Sequence, residues 1–99
     1  MTRTILRIHS QAQEEINEAF DWYFKRSRAA ADTFLGEIGK SLNRIVSDPR
    51  HFPLFTKSTR RLVMHGFPYA VIFREKDETT LVIAVSHAKR RPGYWKRRV

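Results

Sequence analysis

The sequence predicts an α+β domain of order β-α-α-β-β-β, in which a helical hairpin packs on a small, twisted, mostly antiparallel four-stranded sheet. Three observations lead there. Ala31, Phe34, Leu35, Ile38, Leu42, Ile45 and Val46 recur at three- and four-residue steps, the period of one buried helix face. A second helical pattern precedes this one, separated from it only by "KRSR", as in an antiparallel helix pair. Three β-compatible segments with short links then fill most of the remaining chain.

Each element has a local cause. "TRTILRIH" opens the chain as a short strand, with Ile5, Leu6 and Ile8 β-compatible, and it stops at Ser10. Ser10 followed by Gln13 predicts a capping box, in which each side chain satisfies the other residue's free backbone N–H. Ala12, Ile16, Ala19, Phe20 and Tyr23 then share a helix face, and Glu14, Glu15, Glu18 and Asp21 cover the opposite side. Phe20, Tyr23 and Phe34 are expected in the core, and Trp22, off the main stripe, at the hairpin edge. Arg26 and Arg28 read as a solvated helix turn, with Ser27 as the cap of the second helix. Asp48-Pro49 ends that helix, because proline disfavours helix in the residue before it. Residues 49–59 form a loop with Phe52, Leu54 and Phe55 folded against the core. "RRLVMH", "YAVIFRE" and "TLVIAVSH" are the three later strands, linked by "HGFP" and by a hairpin turn at "KDET". Leu81 to Val85 is apolar on both faces, which places the last strand inside the sheet. The face opposite the helices, with the ends of the last strands, is left for function.

Composition narrows the function classes. Ninety-nine residues make one domain, 1–99, and 41% hydrophobic content is too high for a disordered chain. There is no cysteine, hence no disulfide or thiolate metal site, and no paired-histidine motif for zinc. Phosphate-cradling loops, dinucleotide fingerprints and nucleophile elbows are missing too, so the expectation is no metal and no small-molecule cofactor. No apolar run is long enough to span a bilayer and none resembles a secretory leader, so the expected protein is cytoplasmic with no membrane partner.

The charge is uneven. Residues 1–50 hold eight Lys/Arg against seven Asp/Glu, whereas residues 51–99 hold eleven against three, so nearly all of the +9 lies in the second half. That asymmetry points to a polyanionic or acidic partner. The densest part is the basic C-terminal segment 87–99, where "HAKRRPGYWKRR" sets Tyr94 and Trp95 on a Pro-Gly turn between two cationic clusters, so that the two aromatics can fold back and anchor the segment.

Taken in order, "AQEEINEAFDWYFKRS", "FPYAVIFR" and "IAVSHAKRRPGYWKRR" resemble the first helix, third strand and final strand with tail of the RelE/ParE family of bacterial toxins, in its ParE-like branch. The resemblance covers essentially the whole chain. It implies the toxin half of a type II toxin–antitoxin pair, neutralised by a cognate antitoxin that wraps it. It leaves two activities open. RelE-like members are ribosome-dependent mRNA endonucleases; ParE-like members poison DNA gyrase without cutting RNA. A non-toxic basic nucleic-acid-binding domain is a third reading of the same charge.

For a metal-free RNA cut, the 2′-hydroxyl must lose a proton, the leaving oxygen must gain one, and cations must stabilise the transition state. Arg60, Arg61, His87 and Arg90 are the candidates for that chemistry. Lys89, Arg91, Tyr94, Trp95, Lys96, Arg97 and Arg98 are the candidates for gripping a target or nucleic acid, the two aromatics by stacking on a base. His87 has two open readings, proton transfer or a structural histidine that bonds a backbone carbonyl at the strand end. The resemblance also brings a departure. Ribonuclease members carry an arginine near the start of the third strand, where this chain has Tyr69, which is uncharged at neutral pH. Arg74 lies on the opposite strand face and is a poor substitute. The favoured expectation is therefore a non-enzymatic, ParE-like inhibitor.

Overall fold

The computed structural model describes residues 5–99. Strand β1 (Ile5–Ile8) leads into helix α1 (Ser10–Phe24) and helix α2 (Arg28–Ser47). After a 3₁₀ turn at Pro49–His51 come β2 (Arg60–Val63), β3 (Tyr69–Lys76) and β4 (Thr79–His87), and a second 3₁₀ turn at Lys96–Arg98. The predicted order holds, and residues 2–4 of the expected first strand lie outside the described residues. The expected "RRLVMH" strand stops at Val63.

The sheet order is β1-β4-β3-β2, with β1 parallel to β4 and the other pairings antiparallel. β4 is thus internal, as its two apolar faces require. The β3–β4 hairpin turns through Asp77 and Glu78, both at positive φ (50° and 64°), the conformation a two-residue hairpin turn demands.

The helix caps divide. Ser27 behaves as expected, its Oγ accepting from the Ala30 N–H at 3.2 Å. Ser10 does not cap α1. His9 does, its Nδ1 accepting from the Gln11 N–H at 3.1 Å, while the Gln13 amide donates to Asn17 instead. The reason is the preceding strand. The His9 N–H donates to the Val82 carbonyl, so the parallel pairing runs one residue further and the helix starts directly after it.

The main core lies between the helices and one sheet face. Ala12, Ile16, Phe34, Ile38 and Ile45 meet Leu62, Val71, Phe73, Val82 and Val85. Along β4 the inward residues are Val82 and Val85, a spacing of three that simple alternation forbids. A bulge resolves it. Ile72 pairs with Ala84 and Phe73 with Val82, leaving Ile83 extra, so Ile83 and Ala84 both turn to the far face.

The far face is not open. Ile72, Ile83 and Ala84 form a second small core with Trp95, whose ring is 3% exposed. Phe55 tilts against that indole, 6.1 Å between ring centroids, and is 41% exposed, while Leu54 is 61% exposed. Of the three loop residues expected inside, only Phe52 is buried.

Candidate functional site

The site is built around the C-terminal end of β4, where the last strand leaves the sheet. β1 stops at Ile8, opposite Val82, so β4 beyond that point has no strand on that side. Polar backbone left there needs partners. Glu15 and Arg98 supply them. The Val85 N–H donates to Glu15 Oε1 at 3.0 Å, and Arg98 Nη1 donates to the Ile83 carbonyl at 3.1 Å.

Glu15 is the hub. Arg98 reaches it with both terminal nitrogens, at 2.9 Å to Oε1 and 3.1 Å to Oε2. The Tyr94 hydroxyl donates to Oε2 at 2.6 Å. Both members of the ion pair are mostly enclosed, each side chain 11% exposed. Burial, then the bond to Glu15 and its charge, push the Tyr94 phenol up to about 12, so it stays a donor at neutral pH. Burial opposes the charge on Arg98, but Glu15 outweighs it and its pKa is raised.

These contacts reassign part of the predicted grip. Arg98 is a structural clamp rather than a free cation. Trp95 is enclosed in the second core, so its ring offers no stacking surface to a base. Lys89, Arg90, Arg91, Lys96 and Arg97 remain exposed. Arg90 has a fixed seat, its guanidinium 3.9 Å over the Tyr94 ring. Arg26 is likewise more than a solvated turn: it donates to the Trp22 carbonyl at 2.8 Å and covers the Trp22 ring at 3.7 Å, though Trp22 is still 52% exposed.

The catalytic candidates separate. Arg60 pairs with Phe73 and so takes the helix side of the sheet, where its guanidinium donates to the Phe52 carbonyl at 2.7 Å. Arg61 takes the far side, 4.4 Å over the Phe55 ring. Two adjacent strand residues cannot serve one phosphate from opposite faces. His87 lies opposite Tyr69 in the β3–β4 register, ring to ring at 5.0 Å. Its Nδ1 accepts from the Lys89 N–H at 3.0 Å. Neutral His87 therefore carries its proton on Nε2, and its one lone pair is already in use. The backbone bond was expected, with the direction reversed: the ring accepts from an N–H rather than donating to a carbonyl.

Tyr69 and His87 form a ridge between two clefts. One, about 470 Å³, lies against α1 and is lined by Glu18, Trp22, Tyr23, Lys89 and Tyr94 among others. The other, about 300 Å³, lies on the far face and is lined by Phe55, Arg61, Val63 and Trp95 among others. Tyr69, His87 and Arg90 border both. Tyr69 is held edge-on to Phe34 at 5.6 Å, and burial, with nearby Tyr23 and Glu18, raises its pKa, so the ridge has a neutral phenol at its centre. Among the described residues, no group of three or more His, Asp or Glu is arranged to hold a metal ion. No helix of the described residues is long and apolar enough to cross a membrane.

Glu15 was hidden in the sequence among the solvent-facing acids. Its signal is positional. It stands three residues after Ala12 and four before Ala19, inside the buried stripe rather than across from it.

Comparison with known proteins agrees with the geometry. Residues 6–92 match the family described as the ParE toxin of the type II toxin–antitoxin system parDE. Toxin ParE2 of Mycobacterium tuberculosis is 30% identical over 97 residues, covering 94% of this chain and 89% of the relative. Among solved structures, the chromosomal ParDE system from P. aeruginosa superposes with a TM-score of 0.77 at 14% identity, covering 88% of this chain and 98% of that one. A double arginine-to-alanine mutant of the E. coli toxin RelE, in the free state, gives 0.60 at 16% identity, covering 88% and 85%. The two superpositions share the fold, two helices on a four-stranded mixed sheet, and the sequence matches carry the assignment: this chain belongs to the ParE toxin family of type II toxin–antitoxin systems, within the RelE/ParE group.

Proposed function

We propose that the protein is a growth-inhibiting toxin that acts by binding its target, DNA gyrase, rather than by cutting RNA, and that a cognate antitoxin neutralises it. The observation that carries this reading is Tyr69. It stands where ribonuclease members of the group are expected to keep an arginine, and it is a packed, neutral phenol beside His87. Without a cation there, the transition state of phosphodiester cleavage loses stabilisation worth orders of magnitude in rate. His87 adds to this, because its lone pair is occupied by the Lys89 N–H and a base needs that lone pair free.

The basic face contributed by Lys89, Arg90 and Arg91 suits an acidic partner surface and would speed its capture. Target and antitoxin both fit that description, so competition for one surface is a simple route to neutralisation. The direct test is a supercoiling assay with purified protein and gyrase. Inhibition near stoichiometric toxin is the expected result; full supercoiling at a large excess would remove gyrase as the target.

The endonuclease reading keeps one supporting observation: Arg61, His87 and Arg90 line the same far-face cleft. Toeprinting on translating ribosomes separates the readings, since new cuts within codons would favour the nuclease. Salt-sensitive binding to any nucleic acid, without growth arrest, would instead favour a plain basic binding domain.

A further inference from the structure

We propose that Glu15 is the positioning residue of the C-terminal arm: it fixes Tyr94 and Arg98, and through the Tyr94 ring it sets where Arg90 presents its charge to a partner. This rests on the reading that the arm contacts the toxin's target, but not on which target that is.

The geometry carries it. Four donors from three residues in two parts of the chain converge on one carboxylate: the Val85 N–H, the Tyr94 hydroxyl and two nitrogens of Arg98. The first comes from the strand the arm leaves, and the others come from the arm itself. Tyr94 then holds Arg90 over its ring at 3.9 Å, while Arg98 approaches the same ring at 5.1 Å. Arg90 borders both clefts, so the direction of its side chain decides to which of them it adds its charge, beside Lys89 in one and Arg61 in the other.

Charge makes an anchor necessary. Lys89, Arg90 and Arg91 are consecutive, and Lys96, Arg97 and Arg98 follow after four intervening residues. Like charges at that density repel, and an untethered segment of this kind extends and samples many directions. Glu15 is the one acid that meets the arm in an ion pair among the described residues. Glu18, one turn along the same helix, faces the α1 cleft without an ion pair among the described residues.

The test uses the full chain. Limited trypsin digestion reads the arm at Lys89, Arg90, Lys96 and Arg97 without reference to any target; the Arg91–Pro92 bond resists the protease. Glu15→Gln keeps the shape and removes the charge, and it is expected to raise cleavage in the arm roughly tenfold, the equivalent of one charged hydrogen bond. Glu18→Gln removes the same charge nearby and leaves the arm protected. Tyr94→Phe keeps the ring and the ion pair, and it gives an intermediate rate even if Glu15→Gln proves unstable. Growth arrest on expression is then measured for Glu15→Gln, Arg90→Ala and the double variant. A residue acting through Arg90 makes the double variant no weaker a toxin than Arg90→Ala, whereas simple destabilisation makes the two losses add. An arm as protected in Glu15→Gln and Tyr94→Phe as in the wild type, or additive losses, would overturn the proposal. Gyrase enters neither readout, so a failed supercoiling assay and a failed positioning role are told apart.

Discussion

The two faces of the sheet are covered by different devices. On one, the 15-residue α1 and 20-residue α2 lay a periodic apolar stripe across the strands. On the other, one indole, Trp95, sits on Ile72, Ile83 and Ala84 and is held there by a chain of tight turns and one ion pair. The first face distributes its stability over many residues. The second concentrates it in a few, and those few also arrange the exposed cations. The lesson is that the helical face makes the fold and the tail face makes the candidate site, and the two meet at Glu15, a residue of α1 whose bonds go to β4 and the arm.

The largest expected effect lies on the helical face. Phe34 is fully buried and touches the rings of Tyr23, Phe67 and Tyr69 at 5.4 to 5.6 Å. Phe34→Ala is expected to lower unfolding free energy by about 4 kcal/mol, read from urea denaturation. Arg98→Ala comes next, at about 3 kcal/mol, because it strands the Glu15 carboxylate in an enclosed place without its cation. A loss below about 0.5 kcal/mol, the scale of an ordinary surface change, would mean that the tail is not anchored as described. Ser27→Ala removes only the α2 cap and should cost about 1 kcal/mol, which sets the scale of a local change on the helical face.

The smallest effect near neutral pH is the most specific to the tail face. Tyr94 ionises at about 12 in the fold, against an ordinary value of 10.0. A folded-state pKa raised in this way means that its contribution is complete below about pH 10 and is lost as the pH climbs through about 12. All three tyrosine pKa values are raised, that of Tyr94 to about 12, and Glu15→Gln should bring the last tyrosinate titration, read by absorbance, part of the way back toward 10.0, since the carboxylate adds to the larger effect of burial. A late titration unmoved by that substitution would leave burial as the whole cause.

How legible each face was follows from the same difference. The α2 stripe from Ala31 to Val46 repeats, and a repeat can be read from one strand of text; so can Ser27 as a cap and Leu81 to Val85 as an internal strand. The tail face has no period. Trp95 reads either as a partner contact or as an anchor folded back from the Pro-Gly turn, and the bulge at Ile83 decides for the anchor by turning two apolar residues outward for it to cover. Glu15 and Arg98 lie 83 positions apart, and only the fold makes them neighbours. Ser10 failed as a cap for a similar reason, because a long-range strand bond at His9 decided where α1 begins. The gathering of His87 and Arg90 at the end of β4 was visible, as they are near in sequence; the division of Arg60 from Arg61 follows from strand alternation once the register is known.

On the proposed reading, this fold, with Tyr69 where an arginine is expected, arrests growth by binding gyrase and leaves RNA intact. Inducing the toxin in cells and following plasmid supercoiling and transcript integrity in the same samples tests that directly. The expected result is relaxed or cleaved plasmid DNA with full-length messages. Growth arrest with normally supercoiled plasmid and messages cut at codons in the ribosome would contradict it.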